Sequence, residues 1–187
     1  MKNKITTYHL CLIAFAVVMN IIGGEIALLL HLPIYLDSIG TFLIAAIYGP
    51  IYGMIPNLLS GIIFGITSDI YALYYAPVGI LLGLLAGIVW KKKNEKKGWI
   101  WVAALLITIP TSFLSACITA GLFGGITSSG STMLVQLLAK TPLGLTGSCF
   151  VVQLLSDYLD RIISMLLVIA LLRKLPERIM NKMEIKS

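Results

Sequence analysis

The stretch Trp99–Leu122, WIWVAALLITIPTSFLSACITAGL, runs without one charged side chain. As a helix it measures about 36 Å, enough to cross the roughly 30 Å hydrocarbon core of a bilayer; Pro110 predicts a kink within it. Two comparably long apolar runs lie near the ends, 8–30 and 145–172. Three shorter ones lie between: 35–48 and 51–67, separated by Gly49-Pro50, and 77–90, with Pro77 at a first turn where the missing N–H is harmless. The 35–48 and 51–67 runs read as two short spans or one re-entrant pair. Either way the chain returns to its starting side at 68–76. The pattern predicts an all-α integral membrane protein with one membrane domain over 1–187. This is a six-transmembrane-helix bundle in which helices two and three are short.

Composition agrees. Of 187 residues, 58% are hydrophobic and 12% charged, with a mean hydropathy of +0.96, whereas a soluble domain carries about a quarter charged residues. Six crossings leave no room in this length for a separate catalytic or nucleotide-binding domain, so a complete ATPase or a large receptor is excluded. The first run is expected to stay as a span, because no small-residue cleavage site follows it.

Orientation is read from the positive charges. Lys2 and Lys4, then Lys91, Lys92, Lys93, Lys96 and Lys97, then Arg173, Lys174, Arg178, Lys182 and Lys186 fall on one side, leaving Lys140 and Arg161 as the only other basic residues. Both termini are therefore expected in the cytoplasm of a multi-pass protein of the cell membrane. Trp90, Trp99 and Trp101 flank the lysine loop and are expected at the inner headgroup level. The net charge of +6 is accounted for by this anchoring, and no nucleic-acid partner is indicated.

The acidic residues divide as well. Glu95, Glu177 and Glu184 fall with the lysines, while Glu25, Asp37, Asp69, Asp157 and Asp160 fall at the other ends of the helices. Charges inside a span are costly and line a cavity, pair with one another or meet a substrate. Asp157, Asp160 and Arg161 share one helix face, either as an internal ion pair or as ligand contacts. Small residues recur every fourth position at Gly49, Gly53, Gly61 and Gly65, at Gly79, Gly83 and Gly87, and at Ser112, Ala116, Ala120 and Gly124. Such stripes are packing seams, but Asn57 interrupts the first with an amide that needs a neighbour or a ligand. Tyr35, Tyr71, Tyr74 and Tyr75 stand near Asp37, Asp69 and His31. They form either an interfacial belt or a site for a flat, amine-bearing ring.

Enzyme chemistry finds no motif: there is no His-Glu-x-x-His, Gly-x-Ser-x-Gly or Walker sequence, and His9 and His31 lie at opposite ends of one helix. Cys11, Cys117 and Cys149 have no metal or disulfide spacing and read as small buried hydrophobes. Neither a metal nor a cofactor is expected.

Three stretches carry a family resemblance: Leu36-Asp37-Ser38-Ile39-Gly40-Thr41, then Ala45-x3-Gly49-Pro50-x2-Gly53-x3-Asn57, and Asp160-Arg161-Ile162-Ile163-Ser164 opening a helix that ends at Leu175-Pro176. The chain resembles the S components, the substrate-binding subunits of energy-coupling factor (ECF) vitamin transporters. Related patterns also occur in membrane sensor modules. The resemblance implies a binder of a water-soluble vitamin or vitamin precursor at an outward-facing site. Transport would then be driven by a transmembrane coupling subunit and two ATPase subunits, with ATP hydrolysis left to those partners. By position it implies a substrate site of Asp37, Asn57, Asp160 and Arg161, with Glu25, Tyr35, Tyr74 and Asp157 behind them. It also implies partner docking through a small-residue stripe on the first helix, here Ala16, Asn20 and Gly24. The surplus of outer acids leans toward a pyridoxine-type or thiamine-precursor ring and away from a poly-anion.

Overall fold

Proline and glycine punctuate this chain where its helices begin and end. Gly49, with φ of 83°, closes one helix by donating its N–H to the Ala45 carbonyl and opens the next, whose first residue is Pro50. Gly124 in the left-handed region ends another. The computed structural model describes residues 7–92 and 98–174. Among them are eight helices and no strand: α1 Thr7–Leu29, α2 Ile39–Tyr48, α3 Pro50–Thr67, α4 Tyr71–Tyr74, α5 Ala76–Lys91, α6 Trp99–Phe123, α7 Thr132–Leu138 and α8 Gly144–Lys174. α1, α3 and α6 are long and apolar enough to cross a membrane. Their outward faces expose large apolar side chains such as Phe15, Ile22, Ile66 and Phe113, a surface suited to lipid.

Lipid supplies no hydrophobic drive for helix association, so close backbone approach takes its place. Along α3 and α5 the glycines face each other. A Cβ on Gly53 would stand 2.8 Å from the Gly83 carbonyl oxygen, and one on Gly79 would stand 2.9 Å from the Asn57 amide. A Cβ on Gly87 would fall on the backbone of Pro50. Along α6 and α8 the stripe is partly polar, with Ser112 Oγ donating to Asp157 Oδ2 at 2.6 Å and Gln153 Nε2 to Thr119 Oγ1 at 2.6 Å. Beneath these seams Phe42, Leu82, Ile107, Met165 and Val168 form the apolar core that joins α2, α5, α6 and α8.

Several expectations change. Residues 35–38 are loop, not the start of a span, because Leu36 has φ of 53° and α2 begins at Ile39. The stretch 68–76 contains the short α4. Trp90 is not a headgroup anchor: it is buried in the core, edge-on to Trp99 at 5.6 Å, whereas Trp101 is exposed. Only Cys149 is a buried cysteine; Cys11 and Cys117 lie on the outer surface. The charges at Lys2, Lys4, Lys93, Glu95, Lys96, Lys97, Glu177, Arg178, Lys182, Glu184 and Lys186, and Leu175-Pro176, lie outside the described residues.

Candidate functional site

Three loops meet over one end of the bundle: 30–38 between α1 and α2, 68–70 with α4, and 124–131 between α6 and α7. Each is tied to its neighbours by specific bonds. In the first loop the Leu36 N–H donates to Asp160 Oδ1 at 2.8 Å, and the Ser38 hydroxyl donates to Asp160 Oδ2 at 2.8 Å. Just beyond it, Asn20 Oδ1 accepts the Gly40 N–H at 2.8 Å while its Nδ2 donates to Thr41 Oγ1 at 2.9 Å. Gly40 sits so close to the Ala16 carbonyl that no side chain fits there. Four residues of Leu36–Thr41 therefore serve as anchors, and Asp37, between two of them, faces a cavity. Asp69 joins the other two loops: its Oδ1 accepts the Tyr71 N–H at 3.2 Å and its Oδ2 accepts the Ser128 hydroxyl. Gly130 packs directly under the His31 carbonyl, which closes the ring of loops.

The cavity beneath these loops has a volume of about 150 Å³. Its charged lining is Asp37, Asp69, Asp157 and Arg161; Asn57, Tyr35, Tyr71, Tyr75 and Phe64 add amide and aromatic surface. Arg161 is buried, with Nη1 on Asp160 Oδ2 and 3.3 Å from Ser38 Oγ, and Nη2 3.7 Å from Asp157 Oδ1. Its Nε, also buried, has no hydrogen-bond acceptor among the described residues. Burial lifts the Asp37 carboxyl to about 6, and Asp160 and Asp157 add to the rise while Arg161 opposes it. Burial likewise pushes the Tyr35 phenol up to about 12, against the Ser131 and Ser129 hydroxyls beside it, so it stays a neutral donor. Among the described residues no group of three or more His, Cys, Asp or Glu is placed to hold a metal ion.

The structure thus brings five sequence candidates, Asp37, Asn57, Tyr35, Asp157 and Arg161, to one cavity. Three others stand apart. Asp160 is fully buried behind the lining and holds the first loop and Arg161 in place. Glu25 accepts a hydrogen bond from Ser68, linking the ends of α1 and α3. Tyr74 is half exposed and packs edge-on to Phe123. The stripe read as partner docking turns inward instead: Ala16 and Asn20 are buried against α2, and Gly24 lines the cavity beside Asp37 and Phe64. Phe64, Ser115 and the Thr127–Ser129 segment line the cavity without having been singled out from sequence. Their only signal was polarity in a glycine-rich loop and position one turn from the small-residue stripes.

Comparison with known protein families, with curated proteins and with solved structures finds no match to this chain.

Three carboxylates against one guanidinium, the latter already paired, make a site that attracts positive charge and N–H donors. The aromatic rings around it suit a flat ligand.

Proposed function

We propose that the chain is the substrate-binding S component of an ECF-type importer. In this reading it is a six-span bundle with both termini in the cytoplasm, and it captures a water-soluble vitamin or vitamin precursor from outside the cell. The three apolar helices, the short α2 and α5, and α8 with its buried charges then count as the six crossings. Lys91, Lys92, Arg173 and Lys174 end α5 and α8 away from the cavity, which agrees with a cytoplasmic face there. The observation that carries the reading is a cavity whose largely apolar lining includes Asp37, Asp69, Asp157, Arg161 and Asn57. Loops pinned to a buried carboxylate in a lipid-suited bundle, with Asp37, Asn57 and Arg161 lining the space beneath them, support ligand capture. The chain would not hydrolyse ATP; a coupling subunit and two ATPases would supply the energy.

The test is to pull the tagged chain from its native membrane in mild detergent and to identify both the proteins and the small molecules that accompany it. A transmembrane coupling subunit with paired ATPases, and a vitamin or precursor released on denaturation, is the expected result. Repeated absence of both would turn the reading to a membrane sensor or assembly module.

A further inference from the structure

The helix α4 is a single turn of four residues, Tyr71–Tyr74, and one turn of helix has no stability of its own. Yet Tyr71 and the adjacent Tyr75 both line the cavity, so contacts from other elements must hold them. On one flank Leu73 packs so tightly against Gly65 of α3 that no side chain fits at the glycine. Further contacts converge on the end of α6, at two residues that do not line the cavity, Thr119 and Phe123. Four positions apart, they share one helix face.

Thr119 is buried, and its hydroxyl is fully engaged. It donates to the Ser115 carbonyl at 2.9 Å, accepts from Gln153 Nε2 at 2.6 Å and lies 2.5 Å from the Tyr75 hydroxyl. A threonine hydroxyl has one proton, and Ser115 takes it, so Tyr75 is the donor in the third bond. The Thr119 carbonyl also accepts the Gly125 N–H at 3.0 Å. Phe123, the last residue of α6, stands edge-on to Tyr71 at 4.8 Å and to Tyr74 at 5.2 Å, and tilted against Tyr75 at 6.3 Å. Aromatic pairs of this kind fix direction as well as burying area. Its carbonyl accepts the Ile126 N–H at 3.0 Å. Directly beyond, the same loop supplies Thr127, Ser128 and Ser129 to the cavity, and Ser128 donates to Asp69, two residues before α4.

We infer that Thr119 and Phe123 are positioning residues for ligand capture: from behind the lining they hold Tyr71, Tyr75 and the 127–129 segment as one unit, and so set how tightly a ligand is bound. This step rests on the capture reading above.

The experiment uses the full chain purified in detergent. The probe is pyridoxamine, a flat ring bearing an amine, and any molecule recovered from the native protein is run beside it. Thr119→Val removes the hydroxyl, Thr119→Ser keeps it, and Phe123→Leu removes the ring. Buried groups left without their partner are costly, so Thr119→Val and Phe123→Leu are each expected to weaken calorimetric affinity about 10-fold. Amide exchange over 69–75 and 124–131 is expected to rise about 10-fold in both, with α2 and α8 unchanged, as local loosening requires. Thr119→Ser is expected to restore both readouts. Adding Tyr75→Phe to Thr119→Val should weaken binding little further, a non-additivity that a general loss of packing does not produce. If Thr119→Val fails to fold, Phe123→Leu, at a half-buried helix end, still decides. Parental affinity in Thr119→Val and Phe123→Leu, or full additivity with Tyr75→Phe, overturns the inference while leaving ligand capture standing. No binding of pyridoxamine by the parent protein, with no molecule recovered from the native protein, overturns both.

Discussion

The carboxylate of Asp160 on α8 accepts the backbone N–H of Leu36 at 2.8 Å, across 124 positions of sequence. With its other oxygen on Ser38 and on Arg161, this one buried group fixes both the loop that carries Asp37 and the Arg161 guanidinium, two residues that line the same cavity. Leu36 sits there at a positive φ, a backbone state that a leucine holds only where surrounding bonds enforce it.

Asp160→Asn removes the charge that balances Arg161 in a dry environment. Breaking one partner of a buried ion pair costs about 3 kcal/mol or more, so thermal unfolding in detergent should shift to markedly lower temperature, and hydrogen exchange over 31–36 should accelerate. An unchanged melting temperature would show that the loop is held by something else.

Ligand affinity should depend on pH through Asp37. Its carboxyl is raised from 3.8 to about 6, so the folded state holds this proton more tightly than the unfolded chain does. The empty protein therefore loses stability from this group as pH rises from about 4 to about 6. Capture of a cationic ring needs the carboxylate, so affinity should strengthen over the same rise and level off above pH 7. Asp157, Asp160 and Arg161 face the group from α8, with Tyr35 and Asp69 at the cavity wall. Asp37→Asn should flatten the profile; a pH dependence that survives this substitution would assign it to another group.

Two glycine substitutions should separate packing from binding. Gly83→Ala drives a methyl group into the Gly53 backbone, and overpacking of this kind typically costs 1–3 kcal/mol, about 2 kcal/mol as a central value. Gly61→Ala meets only the Ala72 carbonyl, at an ordinary 3.5 Å, yet Gly61 lines the cavity. It should fold normally and bind pyridoxamine roughly 10-fold more weakly, about 1.4 kcal/mol. Melting temperature and calorimetric affinity, measured on both variants, should move in opposite proportion.

Tryptophan fluorescence in bilayers with brominated acyl chains should report the packing of α5 against α6. Trp101 is 57% exposed and Trp90 only 7%, so a variant retaining Trp101 alone should be quenched strongly and one retaining Trp90 alone weakly. Equal quenching would place α5 wrongly in the bundle.

The helices themselves were legible in the residues because their causes are local. Apolar runs without charges, proline at a first turn and glycine at an end specify where a helix starts and stops, and α1, α3, α5, α6 and α8 fall within a residue or two of the stretches read for them. The glycine stripes announced close packing for the same reason. The stretch 35–38, which opens one of the apolar runs, shows where local reading stops. It is apolar enough to pass as the beginning of a span, but Leu36 and Ser38 are bonded to a carboxylate that lies more than a hundred residues later, and that bond makes a loop of what composition would make a helix.

What the sequence by itself determined, then, is an all-helical chain rich in apolar helices, with its charged side chains confined to a few positions. Only the tertiary structure decided the role of each. It put Asp37, Asn57 and Arg161 at one cavity, withdrew Asp160 behind the wall, and turned Ala16 and Asn20 from an exposed stripe into an α1–α2 seam. Helix propensity acts between neighbours in the chain. The cost of burying a charge is settled only by which groups, however distant in sequence, the packing brings within hydrogen-bonding reach.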